Sequence, residues 1–171
     1  MSGPNSLLPI DEVVDVNGDL VPAPEFSKVV AGVESFEGSG QMHSVFIDID
    51  GNVYAAGNNN KRQLCLDDEE SRIFPTQIDL PANERAASAV VGGEFTLILT
   101  VSGKVYGCGS NESGQLGLGN DSSTGGLLDL DLVGVRSISA GRDFALIQSD
   151  DGLFVMGDNT YGMLPTLDAA C

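Results

Sequence analysis

One pattern of residues occurs three times in this chain of 171 residues, and it limits the possible folds more than any local motif does. The copies cover residues 40–64, 92–116 and 141–164, and their first residues lie 52 and 49 positions apart. Each copy places an aromatic residue, a glycine, an asparagine and a leucine in that order, at Tyr54, Gly57, Asn59 and Leu64; at Tyr106, Gly109, Asn111 and Leu116; and at Phe154, Gly157, Asn159 and Leu164. A repeat of this length indicates a β-propeller or a solenoid.

Each copy reads as a strand, a tight turn, a second strand and a loop. The first strands are apolar and rich in residues that favour strands, and they are predicted at 43–49, 95–101 and 144–148. The return strands are predicted at 53–56, 104–108 and 153–156. A polar residue followed by glycine favours a two-residue hairpin turn of the primed type, and such pairs are present at Asp50-Gly51, Ser102-Gly103 and Asp151-Gly152.

The segments between the copies contain weaker strand signals. Strands are predicted at 75–78, 87–91, 127–132 and 135–140, and residues 24–36 occupy the equivalent place before the first copy. Two strong and two weak strands per unit give the four strands of a propeller blade. The chain is therefore expected to be all-β, a partial β-propeller of about three four-stranded blades, with an N-terminal segment at 1–23, blade 1 at 24–64, blade 2 at 65–116, and blade 3 with a tail at 117–171.

The N-terminal segment contains a partial copy of the repeat. Residues 14–23, VDVNGDLVPA, resemble residues 47–56, IDIDGNVYAA, and Asn17-Gly18 is a strong hairpin signal. The glycine, asparagine and leucine that follow in the other copies are missing. This segment is therefore either a degenerate half-repeat or an independent hairpin. Asp15 and Asp19 are also spaced like the start of a calcium loop, but the glycine and glutamate that complete such a loop are absent, which favours a turn.

The recurring residues indicate architecture rather than catalysis. The glycine after the aromatic residue allows two backbones to approach closely, and the asparagine can bond to its own backbone in an Asx-turn. Since an active site is rarely built three times over, Asn59, Asn111 and Asn159 are expected to be structural.

The complete repeat is similar to that of the regulator of chromosome condensation family. The second copy is the most similar, with SGKVYGCGSNESGQLGLG at 102–119, and the resemblance extends over residues 24–166. Cys65 and Pro165 stand where the second copy has the glycine that follows Gln-Leu. The resemblance implies a seven-bladed propeller, which three repeats cannot close. The chain is thus expected to be a fragment of a longer protein, to assemble with itself, or to dock its open ends against other subunits.

The charge of the chain limits its partners. Its 25 Asp and Glu residues exceed its 8 Lys and Arg residues, which gives a formal net charge of −17. Such a chain repels nucleic-acid phosphates and anionic membranes, and the charge either suits a basic protein partner or simply keeps the protein soluble. No run of about 20 apolar residues predicts a membrane span, and the N-terminus lacks the features of a secretory signal or a transit peptide.

The three cysteines, Cys65, Cys108 and Cys171, are far apart in the sequence and form no Cys-x-x-Cys pattern. An odd number of isolated cysteines is typical of a reducing compartment, so the expected location is intracellular, in the cytoplasm or nucleus, with an organelle left open for a processed chain. Cys65 takes the place of Gly117 in the second copy, and Cys108 neighbours a repeat glycine. Both are therefore expected to be small packing residues rather than nucleophiles.

Known catalytic and metal-binding patterns are missing from the sequence. His43 is the only histidine, and since Phe95 and Phe144 hold its position in the other copies, it is expected to be structural. One histidine without clustered thiols argues against a zinc site. The chain also lacks a Gly-x-Ser-x-Gly motif, a P-loop and a Rossmann fingerprint. No enzyme activity, catalytic residue, metal or cofactor is expected.

One acidic run, at Asp67, Asp68, Glu69 and Glu70, lies in a predicted loop. It is either a solvated surface or a docking site for a basic partner, whose association it would accelerate.

The sequence predicts a non-catalytic protein–protein interaction module: a scaffold, an adaptor or an accessory subunit of a larger complex. The resemblance also implies an alternative, a guanine-nucleotide exchange regulator of a small GTPase, and, with less support, an inhibitor or a lyase-like activity. Light sensing in this family relies on tryptophans, and this chain has none.

Overall fold

Three β-sheets follow one another along the chain in this computed structural model, which describes residues 10–31, 42–119 and 124–162. These residues form no helix and thirteen strands: β1 Glu12–Val14, β2 Leu20–Pro22, β3 Phe26–Ala31, β4 His43–Asp48, β5 Val53–Gly57, β6 Arg72–Ile78, β7 Ala86–Val91, β8 Phe95–Thr100, β9 Val105–Gly109, β10 Thr124–Asp129, β11 Val135–Ala140, β12 Phe144–Ser149 and β13 Gly152–Gly157. The all-β prediction is confirmed. In the described part of the chain, no helix could span a membrane.

Sheet 1 has the strand order β2-β1-β6-β5-β4-β3, sheet 2 has the order β10-β9-β8-β7, and sheet 3 has the order β11-β12-β13. The strands of a sheet are antiparallel to their neighbours, except that β1 runs parallel to β6. The six strands of the repeated hairpins lie within one residue of their predicted positions. Sheets 1 and 2 each contain the four strands of a blade, and sheet 3 contains three strands among the described residues.

The sheets are offset from the sequence repeats. β6 follows Leu64 in the chain but pairs with β5, and β10 follows Leu116 but pairs with β9. The blade boundaries predicted after residues 64 and 116 therefore fall inside sheets 1 and 2. The physical reason is that each weak outer strand pairs with the hairpin that precedes it in the chain. The fourth strand of a sheet therefore comes from the segment that follows the sequence repeat.

The first two repeat turns are three-residue loops, and the prediction of two-residue primed turns is wrong for them. In the first turn, the N–H of Gly51 bonds to the carbonyl of Asp48, and the N–H of Asp48 bonds to the carbonyl of Asn52. The φ angle is positive at Gly51, at 84°, and not at Asp50. A primed type I′ turn needs positive φ at both central residues, whereas a single left-handed glycine ends a three-residue loop. Asp48 Oδ1 fixes this loop by accepting hydrogen bonds from the N–H groups of Asp50 and Asn52.

The glycine that ends each return strand is required by backbone contact, as predicted. Gly109 has a φ of 101°, and a Cβ there would lie 2.8 Å from the Cα of Phe95. A Cβ on Gly57 would lie 2.5 Å from the carbonyl oxygen of Met42. Any side chain at these positions would collide with the strand that begins the same hairpin.

The sheets pack face to face and share two apolar cores. The first core joins residues of sheets 1 and 2, including Val45, Ile47, Val53, Ala89, Val91 and Ile98. The second joins residues of sheets 2 and 3, including Leu97, Leu99, Val105, Ile138, Ala145 and Ile147. Because side chains alternate between the faces of a strand, Leu97 and Ile98 of β8 serve different cores. Each inner sheet face is therefore buried by the next sheet in the series.

The N-terminal hairpin of β1 and β2 covers the first face of sheet 1. Val13 is fully buried there and packs with Phe46 and Tyr54. Phe26 completes this cluster, with its ring centroid 5.3 Å from that of Phe46. The predicted hairpin at 14–23 is therefore present, and its turn has the same hydrogen bonds as the turn at Gly51. It extends sheet 1 through β6 and forms no blade of its own.

Cys65 and Cys108 form a disulfide across a sequence separation of 43 residues, so the view of them as separate packing residues is wrong. Cys65 belongs to the loop between β5 and β6, and Cys108 lies on β9. They meet because the repeat places the loop of one sheet over the return strand of the next. The intracellular location that was expected from the cysteines stays a prediction. Cys171 lies outside the described residues.

Candidate docking surfaces

The acidic run lies in the loop between β5 and β6, and two of its four carboxylates are held in ion pairs. Arg72 Nη2 lies 2.5 Å from Asp68 Oδ2, and Arg62 Nε lies 3.3 Å from Glu69 Oε1. The hydrogen bond from Arg72 is the main cause that lowers the pKa of Asp68 below its ordinary value. Both acids therefore offer less free charge to a partner than unpaired carboxylates would.

Asp67 and Glu70 are exposed and have no ion pair within the described ranges. Asp67 lines a cleft of about 500 Å³ between the N-terminal hairpin and the loop of sheet 1. Its Oδ1 also lies close to Gly126 of β10, so a Cβ at that position would make the Asp67 side chain shift. Asp67 and Glu70 are thus the members of the acidic run without an ion pair among the described residues, and docking at the run stays a prediction.

The repeated asparagines are structural in the two repeats where their bonds are described. Asn59 Oδ1 accepts a hydrogen bond from the N–H of Leu64 at 3.0 Å, and Asn111 Oδ1 accepts one from the N–H of Leu116 at 2.8 Å. Both asparagines are fully buried. Each hydrogen bond closes a loop of five residues and fixes the segment that contacts the next sheet. The expected structural role is therefore present, but the bond spans more residues than an Asx-turn does.

His43 is buried between sheets 1 and 2, and its contacts there indicate a structural role. Its Nε2 lies 2.8 Å from Thr96 Oγ1, and the Thr96 hydroxyl donates to the carbonyl of Gln63 at 2.7 Å. Because that hydroxyl has already used its proton, Nε2 must donate to it, which leaves Nδ1 unprotonated. Burial lowers the pKa of His43 to about 4, so the ring is neutral near pH 7.

The loop at Asp15 is a turn. Asp15 Oδ1 accepts hydrogen bonds from the N–H groups of Asn17 and Asp19, both at 2.9 Å. These bonds lower the pKa of Asp15. The carboxylate is thus used by its own backbone, and the described residues hold no group of three or more His, Cys, Asp or Glu side chains placed to bind a metal ion.

No described residue covers one of the faces of sheet 3. Ala145 and Ile147 of β12 pack against sheet 2, so Leu146 between them points away from it. Val155 of β13 lies opposite Leu146, and Leu153 shares their face; the two β13 residues are 36% and 59% exposed. The equivalent residues of sheet 2, Leu97, Val105 and Gly107, are all buried. This surface, formed by Leu146, Leu153 and Val155, is called the end face below.

The outer edge of β13 is also free among the described residues. β5 is paired on both sides, with β4 and β6, and β9 is paired on both sides, with β8 and β10. Of the described strands, β12 alone pairs with β13. Sequence reasoning predicted open ends but did not locate the end face. The sequence feature that could have located the end face is Gln148, a polar residue where the other copies have Ile47 and Leu99.

The comparisons with known proteins agree with this architecture. The family model described as "Regulator of chromosome condensation (RCC1) repeat" matches residues 50–99 and 102–147. The chain belongs to the RCC1 repeat family. A second model of the same repeat matches residues 87–115. The resemblance read from the sequence is thereby confirmed.

Relatives with RCC1 repeats have different names and much longer chains. The X-linked retinitis pigmentosa GTPase regulator of Canis lupus familiaris is 33% identical over 137 residues, which are 77% of this chain and 14% of the relative. Protein RCC2 of Homo sapiens is 32% identical over 131 residues, 74% of this chain and 25% of the relative. The probable E3 ubiquitin-protein ligase HERC3 of Homo sapiens is 31% identical over 133 residues, 75% of this chain and 13% of the relative.

Solved structures of RCC1-type proteins share the fold. Human WBSCR16 superposes with a TM-score of 0.67 at 22% identity, covering 82% of this chain and 36% of that structure. Yeast RCC1 (Prp20), solved in complex with Kap60, superposes with a TM-score of 0.65 at 20% identity, covering 82% and 34%. The chain spans about a third of each of these β-propellers, so it corresponds to part of a ring.

Proposed function

We propose that the chain is a non-catalytic protein–protein interaction module that acts as a scaffold, an adaptor or an accessory subunit. The observation that carries this proposal is the end face, where Leu153 and Val155 are exposed beside a strand edge that no described strand covers. A contiguous exposed apolar patch marks an interaction site. The acidic pair Asp67 and Glu70 adds a second surface, whose charge suits a basic partner.

The differing names of the relatives favour a recognition role for the shared repeat region over a shared catalytic reaction. A GTPase regulator and a probable ubiquitin ligase match this chain at 33% and 31% identity. The matched region is only 14% and 13% of those proteins. Because function depends on sites rather than on folds, a repeat region common to proteins with such different names is best explained as a recognition surface.

The test is to identify partners by chemical cross-linking in cells, to purify each one, and to measure its direct binding to the full chain by calorimetry. We expect at least one partner whose affinity falls by about tenfold or more, about 1.4 kcal/mol, in either L153K/V155K or D67K/E70K. The V101K/V133K variant is a matched control, since it exchanges two exposed valines for lysines away from the end face. Binding that is unaffected in both surface variants would contradict the proposal.

Guanine-nucleotide exchange on a small GTPase is a second candidate, favoured by the similarity to the retinitis pigmentosa GTPase regulator. The measurement is the release of a fluorescent guanine nucleotide from a panel of small GTPases. Acceleration by about tenfold or more with a catalytic amount of the chain would establish exchange. A panel without acceleration would remove this candidate and leave the interaction module in place.

A further inference from the structure

The disulfide between Cys65 and Cys108 adjoins a cleft on the Cys65 side. Cys65 is 5% exposed and lines the cleft of about 500 Å³ between the N-terminal hairpin and the loop that joins β5 to β6. Cys108 is fully buried and does not line that cleft. In thiol–disulfide exchange a thiolate attacks one sulfur of the bond, and access decides which sulfur that is. A small thiol that enters the cleft therefore meets Cys65 and not Cys108.

The lining of the cleft carries more negative than positive charge. Asp15, Asp67 and Asp79 line it, and none of them has an ion pair in the part of the chain that the structure describes. Of the described lining residues only Arg72 is basic, and its charge is offset by Asp68 at 2.5 Å. A cleft with charge of one sign raises the local concentration of oppositely charged solutes. The lining therefore favours a positively charged thiol over a negatively charged one.

The apolar part of the cleft suits a thiol with a short alkyl chain. Val14 and Leu66 lie among the lining residues, between the hairpin and the loop. The cleft is also within the range of about 300–1,000 Å³ that is typical of small-ligand sites. An aminothiol can place its methylene groups against these side chains while its ammonium group remains near the carboxylates.

The junction offers a hydrogen-bond acceptor to the Cys108 thiol that exchange would release. Cys108 Sγ lies 3.5 Å from the carbonyl oxygen of Gln63. The same oxygen accepts a hydrogen bond from the Thr96 hydroxyl at 2.7 Å, and a carbonyl oxygen has two lone pairs. The released thiol therefore has a partner in place inside the junction.

Other contacts hold the loop of sheet 1 when the disulfide is open. The Asn59 side chain bonds to the N–H of Leu64 and to the carbonyl of Asp68, on either side of Cys65. The second junction has Gly117 in place of Cys65, and its loop is closed by the equivalent asparagine bond without a disulfide. The position of Cys65 at the junction therefore does not depend on the disulfide alone.

We infer that Cys65 is a site of covalent modification by an aminothiol, which enters the cleft and exchanges with the disulfide. The thiolate of the aminothiol attacks Cys65 Sγ and forms a new S–S bond, and the bond between Cys65 and Cys108 breaks. Cys108 takes the electron pair of the broken bond and the proton that the aminothiol lost on ionising. The aminothiol sulfur is thus oxidised and the Cys108 sulfur is reduced. This inference goes beyond the proposed interaction function and does not depend on it.

The probes are cysteamine, 2-mercaptoethanol and 2-mercaptoethanesulfonate, which are cationic, neutral and anionic thiols. Each reacts with the full 171-residue chain carrying C171S, which removes the remaining cysteine. The reaction is quenched with N-ethylmaleimide, and the modified peptides are mapped by mass spectrometry. We expect the probe on Cys65 and the maleimide on Cys108. At equal thiolate concentration and low salt, cysteamine should react at least about tenfold faster than the sulfonate, and about 1 M NaCl should reduce that ratio.

The D67N/D79N variant removes two charges from the cleft, and we expect it to lower the ratio of the cysteamine rate to the sulfonate rate at least about threefold. The matched control is D131N/D151N, which removes two exposed carboxylates that do not line the cleft. The control should leave the ratio unchanged. If D67N/D79N fails to fold, the comparison of the three thiols on the unaltered cleft still tests the inference.

Four outcomes would overturn the inference. They are the probe on Cys108 with the maleimide on Cys65, equal rates for the three thiols, and an equal fall of the rate ratio in D67N/D79N and in its control. The fourth is a rate whose urea dependence matches that of global unfolding, because exchange would then occur in the unfolded chain rather than through the cleft. Binding to a partner protein does not enter these measurements, so a failure here leaves the interaction function standing.

Discussion

The two junctions between sheets use the same architecture but different chemistry. At the first junction, His43 bonds to Thr96, and Cys65 is joined to Cys108. The equivalent residues at the second junction are Phe95 with Ala145, and Gly117 with Met156. There Phe95 is fully buried in an apolar core, and a Cβ on Gly117 would lie 2.5 Å from Met156 Sδ.

This difference shows that the repeat specifies positions and not interactions. The loop of one sheet must contact the return strand of the next, and either a covalent bond or a thioether packed on a glycine satisfies that contact. The disulfide and the buried histidine therefore predict that the first junction responds to redox conditions and pH and that the second does not. Variants at equivalent positions can test this contrast directly.

Loss of the disulfide should have the largest effect. The bond spans 43 residues, and the chain-entropy model gives about 4 kcal/mol for a loop of that length. We expect C65A/C108A to lower the free energy of unfolding by about this amount, measured by urea denaturation under oxidising conditions. A reductant should lower the stability of the wild type similarly and leave the variant unchanged. Equal stability of the two proteins without reductant would show that the first junction does not depend on the bond.

Protonation of His43 should have the next largest effect. Burial lowers its pKa from 6.5 to about 4 in the folded protein. The unfolded chain therefore binds more protons between these values, so the contribution is fully present above pH 6.5 and is lost as pH falls toward 4. The loss is roughly 3 kcal/mol, from a shift of about 2.5 units at 1.36 kcal/mol each.

His43 is the only histidine in the chain, so NMR can follow its ring without assignment ambiguity. The H43F variant, which copies the second junction, should lose this part of the pH dependence of stability. A wild type and an H43F variant with parallel stability curves from pH 4 to 7 would contradict the assigned burial effect.

The same contrast marks the limit of what the sequence predicts. The hairpins and the structural asparagines follow from local spacing, because Asn59 and Asn111 act within five residues of their own position. The disulfide does not, because it depends on how one sheet stacks on the next. A signal existed: Cys65 aligns with Gly117 and Cys108 with Met156, so the two cysteines occupy positions that also meet at the other junction. The sequence predicts the N-terminal hairpin from its turn motif. It does not predict that the hairpin packs on Phe46, because that residue lies in a different part of the chain.

Gly117 tests the second junction with a smaller change. Its φ is 68°, and an alanine there would adopt a left-handed conformation and press against Met156. Left-handed backbone costs a non-glycine residue about 1–2 kcal/mol. Gly114→Ala is the matched control, because Gly114 has a φ of 74° and no neighbour within 4 Å of an added Cβ. G117A should be more destabilising than G114A in thermal unfolding, and equal effects would mean that Met156 moves aside freely.

The ion pair between Lys61 and Glu112 should contribute least. It joins the loops of sheets 1 and 2 at 2.6 Å, with side-chain exposures of 31% and 58%. Its equivalents at the second junction, Ser113 and Thr160, are uncharged. Exposed pairs contribute roughly 0.2–1 kcal/mol and are screened by salt. E112Q should therefore lower stability by less than about 1 kcal/mol at low ionic strength, and the difference should vanish near 1 M NaCl. A larger, salt-independent loss would show that the first junction depends on this pair as well as on its disulfide and its buried histidine.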